Sequence, residues 1–153
     1  MMCKASIVAV AVACCLLCQT SVVLGQSSAL IDVVFVVDVS GSMHLKMNMI
    51  KAFLVDLAEA LVTNSPTSPR IAIVTHRPTP LAHLEPFTND LNTIESSINS
   101  MGLTTEDNMC AAIEMAVDLP ASAASRRRVI VNVGDGVSNL FDDPACPSWL
   151  GEG

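Results

Sequence analysis

Asp38, Ser40 and Ser42 stand at alternate positions of the run Asp-Val-Ser-Gly-Ser. One carboxylate and two hydroxyls can therefore converge on a point, while Gly41 lets the backbone bend tightly. A second carboxylate, Asp135, follows in Val133-Gly-Asp-Gly136, and Gly102-Leu-Thr104-Thr105-Glu-Asp107 is a loop carrying further oxygens. Oxygen ligands with few carboxylates suit magnesium, with manganese or calcium as alternatives. No cysteine and histidine spacing suggests a zinc site. Alone, the first turn would often be only a helix cap. Asp135 at the end of another strand favours a cation site.

The elements that must position these groups follow from the pattern. Asp32–Val37 reads as a strand, with Val33–Val37 an unbroken β-branched and aromatic run, as in a buried parallel strand. From His44 to Val62 apolar residues recur every three or four positions, Met47, Ile50, Phe53, Leu54, Leu57 and Leu61 among them, predicting an amphipathic helix. Asn64–Pro69 ends it. Arg70–Thr75 is a second strand, parallel to the first across the intervening helix. Leu81–Phe87 is a third, antiparallel and at an edge, where Pro86 is tolerated. Thr88-Asn-Asp90 caps a helix running to about Met101, with Leu91, Ile94 and Ile98 inward. A further helix spans about Glu106–Leu119, with Met109, Ile113, Ala116 and Val117 inward, and Val129–Val133 is a buried strand. Two strands then present Asp38 and Asp135 at one sheet edge, where ligand sites of open α/β sheets lie.

The 153 residues allow one domain. Residues 1–25, with Lys4 ahead of the apolar run Ala5–Cys18, read as a secretory signal peptide cleaved before Gln26, leaving 26–153 as the domain. A transmembrane anchor is disfavoured because the run is shorter than a bilayer span. The expected location is secreted or extracellular, and periplasmic or lipid-anchored in a bacterium. The membrane then matters only during export. Beyond the leader, seven basic residues face fifteen acidic ones, a net of −8. Nucleic acid is excluded as a partner by that balance. The one basic run, Arg126-Arg-Arg128, reads as a solvated helix end and loop. His44, His76 and His83 read as surface or loop residues. Only Cys110 and Cys146 remain after cleavage, and they either form one disulfide or stay separate.

With these residues in place, the chain resembles a von Willebrand factor type A domain over about Ile31–Asn139. Asp38-Val-Ser40-Gly-Ser42 matches the Asp-x-Ser-x-Ser turn of that family's metal-ion-dependent adhesion site, and Asp135 occupies its later aspartate position. The resemblance implies an α/β, three-layer, doubly wound and Rossmann-like fold, with a mostly parallel sheet and one antiparallel edge strand. It implies no enzyme activity. Carried over, Ser40, Ser42 and Thr104 bind the cation directly, and Asp38 and Asp135 hold it directly or through water. A partner protein's Asp or Glu completes the shell. For the middle loop, Thr104 fits the family's Gly-x-Thr pattern after Gly102, with one extra helical turn accommodating its spacing from Ile113. Thr105 and Asp107 stay open as alternatives. Gly134 stands where the family usually has threonine. The family's last two strands and their helices are expected to be missing here, leaving a sheet edge through which copies could associate.

A rival reading comes from another class. The early Asp38 and the late Gly134-Asp-Gly-Val-Ser-Asn139 also resemble a magnesium-dependent phosphatase of the haloacid dehalogenase type, with Asp38 as nucleophile. Ser40 and Asn139 depart from that pattern, which wants aspartate at both positions.

Overall fold

The computed structural model describes residues 30–77, 79–105, 108–120 and 126–134. Strand β1, Ile31–Asp38, is the axis of the sheet and is buried from Asp32 onward. Parallel strands flank it on both edges and helices cover both of its faces, so its valines are kept from water. Val33 pairs with Ile71 of β2, Arg70–His76, and with Val129 of β4, Arg127–Val133. Strand β3, Leu81–Thr88, runs antiparallel to β2, which gives the order β3-β2-β1-β4. The expected antiparallel edge strand is present, and it carries Pro86.

Side chains of a strand alternate between faces, and each face of β1 has its own helical cover. Val33, Phe35 and Val37 pack with Met47, Ile50, Leu54 and Ala58 of helix α1, Met47–Asn64, and with Ile94 and Ile98 of α2, Leu91–Ser100. Val34 and Val36 meet Ala112 and Ala116 of α3, Met109–Asp118, together with Leu119. The result is the three-layer α/β arrangement, with a mixed sheet between helices. Helix α2 starts as expected, with the Asp90 carboxylate accepting from the Thr93 amide at 3.3 Å. Phe35 is fully buried, and truncating such a residue costs about 3–5 kcal/mol.

Several sequence expectations need correction. Helix α1 begins at Met47, not His44, because a short 3-10 turn, Gly41–Met43, comes first. Phe53 is 45 % exposed, since Leu54 takes the position facing the sheet. In α3 Ala116 and Ile113 pack against the core as expected, joined by Cys110 and Ala112, while Val117 faces out. That helix starts after Asn108, whose side chain accepts from the Ala111 amide at 3.0 Å. Strand β4 is not a buried strand. Among the described residues only β1 pairs with it, so Arg127, Val129 and Asn132 are exposed.

Candidate functional site

At the carboxyl end of β1 the chain must leave the sheet and enter α1. Val39 remains fully buried, Ser40 stays extended, and Met43 and Met47 plug into the core below. These apolar anchors hold Ser40, Gly41 and Ser42 up at the surface, Gly41 and Ser42 being exposed. Asp38 is buried, and its Oδ1 accepts from the Ser40 amide at 2.8 Å. Ser40 Oγ and Ser42 Oγ are 3.0 Å apart. An octahedral ion with ligand oxygens at about 2.0–2.1 Å places neighbouring oxygens about 2.8–3.0 Å from one another. The two hydroxyls are hydrogen-bonded to each other at a separation that adjacent magnesium ligands would also have. The donor set is also hard oxygen, as magnesium prefers.

The middle loop comes to this turn. Thr104 N–H donates to the Val39 carbonyl at 2.7 Å, and its Oγ1 lies 3.4 Å from the same oxygen. A Cβ on Gly41 would sit 3.8 Å from the Thr104 carbonyl, so the two loops are in contact. Thr105 beside it is exposed, and Asp107 lies outside the described residues. Gly134, following β4, closes the third side. A Cβ there would fall 3.2 Å from Asp38 Cβ and 3.4 Å from its Oδ2, so this close approach suits glycine where the family usually has threonine. Asp135 is the next residue and lies outside the described ones, as do Asn139, Cys146 and the leader. The structure therefore brings Asp38, Ser40, Ser42 and Thr104 together.

Among the described residues no three of histidine, cysteine, aspartate and glutamate gather as a metal cluster. The histidines do not join the turn as ligands. His44 is exposed. His76 is buried in β2, not at the surface as its sequence context suggested, and its Nε2 lies 3.1 Å from Asn132 Oδ1. His83 Nε2 donates to the Ser97 carbonyl at 3.0 Å, and burial, with the charges of Arg77 and Lys51, holds its pKa below the usual value despite that bond. Cys110 is disulfide-bonded, with its partner outside the described residues.

At the opposite end of β1 lies a cluster that sequence reasoning missed. Asp32 is buried and accepts from Arg70 Nε at 3.0 Å and Nη2 at 2.7 Å, and from Arg126 Nε at 2.5 Å. Burial pushes this carboxyl up, but the hydrogen bonds and charges of Arg70 and Arg126 outweigh it and leave the pKa lowered. Arg128 is engaged too, donating to the Ala116, Val117 and Leu119 carbonyls at the end of α3. Two of the three arginines of Arg126-Arg-Arg128 are thus engaged within the protein, and Arg127 alone is exposed. An aspartate within a valine strand was the available signal.

The model of the von Willebrand factor type A domain matches residues 33–137, more than half of the chain. This chain belongs to that family. Solved structures agree with this von Willebrand A domain in fold. The vWF domain of the type V pili tip protein Mfa5 from Porphyromonas gingivalis is similar at TM-score 0.65 and 21 % identity, over 74 % of this chain and 40 % of that one. The minor pilin PilB from Streptococcus sanguinis gives 0.61 and 20 %, over 76 % and 32 %. Proximal thread matrix protein 1 from the mussel byssus, with a zinc-occupied MIDAS motif, gives 0.60 and 18 %, over 72 % and 30 %. The chain spans two fifths or less of each of these structures. No curated protein matches it. Von Willebrand A domains are in general interaction modules, and the family match lends nothing to the phosphatase reading. Among the described residues no helix is long and apolar enough to cross a membrane.

Proposed function

We propose that this von Willebrand A domain is an exported, cation-dependent protein-binding module and not an enzyme. Its metal-ion-dependent adhesion site comprises Asp38, Ser40, Ser42, Thr104 and Asp135. The observation that carries the reading is the Ser40–Ser42 hydroxyl pair at 3.0 Å above the Asp38 carboxylate, with the Thr104 loop docked on Val39. Ser40 and Ser42 present two neutral oxygens, and Asp38, held by the Ser40 amide, orients that turn. A bound magnesium ion supplies a Lewis-acidic position for an outside carboxylate. Three of the five site residues contribute neutral hydroxyls, so an Asp or Glu of a partner is a fitting further ligand. Manganese and calcium are alternatives, and the zinc in the byssus protein's MIDAS motif makes zinc a fourth ion to test.

The apolar leader before Gln26 supports export, with 26–153 as the domain, and the disulfide at Cys110 fits an oxidising compartment. Thermal unfolding tests the site. Magnesium at a hundredfold excess over its Kd should stabilise the protein by about 2.7 kcal/mol, and Asp38→Ala should remove the shift. A short aspartate-containing peptide should raise the midpoint further only with the cation present. Absence of any shift with magnesium, manganese, calcium and zinc would sink the reading.

A further inference from the structure

Helix α3 connects the two ends of the sheet. Its amino end follows the loop that carries Thr104, and its carboxyl end meets Arg128 of β4. Ten residues make a rod of about 15 Å, so a displacement at one end is carried to the other. Packing against the sheet and the disulfide at Cys110 fix part of the rod's position along its own axis. Its fully buried residues are Cys110, Ala112 and Ala116; the two alanines are set against Val34, Val36, Ala72 and Val74, with Ile113 and Met115 packed at the margin. The two alanines at the centre form shallow ridges, which resist sliding less than large interdigitated ones. The ends supply the rest of the axial index.

At the carboxyl end that index is Arg128. Its guanidinium donates to the Ala116 carbonyl at 3.0 Å, to that of Leu119 at 2.5 Å and to that of Val117. A cation there also opposes the negative end of the helix dipole. The guanidinium is itself held, 5.3 Å from the centroid of the Phe87 ring, with Arg70 stacked 5.6 Å from the same ring and bonded to Asp32. The clamp is thus referred to the rigid base of the sheet.

We propose that Arg128 is a positioning residue of the cation site, setting through α3 where Thr104 stands relative to Ser40 and Ser42. This rests on the cation reading above. A ligand constellation must be held within about 0.5 Å to bind well, and loss of a supporting contact outside the coordination shell weakens metal affinity about 10–100-fold. Lysine keeps the charge but lacks the planar fork that spans several carbonyls.

The test uses the full exported chain and two readouts. The first is the magnesium concentration giving half the thermal stabilisation; the second is hydrogen exchange at the Thr104 amide, which donates to Val39. Arg128→Gln should raise the magnesium midpoint about tenfold or more and speed Thr104 exchange more than exchange in β1. Arg128→Lys, the gentler change should Arg128→Gln fold poorly, should move both in the same direction by less. Arg127→Gln, one residue away and exposed, should move neither. A lower melting temperature with both readouts unchanged in the lysine variant overturns the proposal, because a purely structural role predicts that pattern. If wild type shows no magnesium response, the cation reading fails. Accelerated Thr104 exchange in Arg128→Gln would then still support the clamp, and unchanged exchange would end it too.

Discussion

Strand β1 carries a buried aspartate near each end, and the two have opposite surroundings. Asp32 is met by two arginines, with three bonds between 2.5 and 3.0 Å among its contacts. Asp38 receives one hydrogen bond among the described residues, from the Ser40 amide of its own turn. A buried carboxylate without a paired cation is costly. At Asp32 the chain supplies the compensating charge itself. At Asp38 it supplies hydroxyls and a glycine, and on the proposed function an outside cation would be the complement. Burial alone does not tell the two carboxylates apart; their neighbours do.

The comparison breaks most visibly at Asp32. Asp32→Ala strands Arg126 and Arg70 and should cost about 3–5 kcal/mol in urea unfolding, whereas Asp38→Ala, measured in chelator, should cost less than about 1 kcal/mol. Equal losses would mean that Asp38 is as structural as Asp32. Gly134→Ala comes next. Its Cβ presses on Asp38 at 3.2 Å, so a loss of about 1–3 kcal/mol should accompany a weaker magnesium shift, and an unchanged response would separate Gly134 from the site.

Acid unfolding sharpens the contrast. The Asp32 pKa is lowered on folding from its usual 3.8. Its contribution is therefore complete above that value and is lost as pH falls through the lower folded one. Asp32→Asn should flatten the stability profile in that acid window, and a wild-type-like slope in the variant would assign acid lability elsewhere. The smallest effect is expected at Arg127. Exposed between two engaged arginines, it should change stability by less than about 0.5 kcal/mol when replaced by glutamine.

Much of the frame was legible. The valine run announced a central strand because only a strand flanked on both edges and covered on both faces tolerates it. Pro86 marked an edge, and Asp90 marked a helix start. Phe53, Val117 and the start of α1 were misread because apolar spacing does not reveal which neighbouring residue takes the innermost position. Arg126 and Arg128 looked solvated because their partners, Asp32 and the end of α3, are distant in sequence or belong to another element.

The turn itself was written locally. Asp38, Ser40, Gly41 and Ser42 are close enough in sequence that their types alone define its chemistry, and the strand before and helix after define its setting. Tertiary structure decided the rest. Thr104 reaches the turn through a bond to Val39, sixty-five residues earlier, and Gly134 faces Asp38 because β4 pairs beside β1 in parallel. Contacts of that length arise from strand register and helix packing, which residue spacing along the chain does not encode.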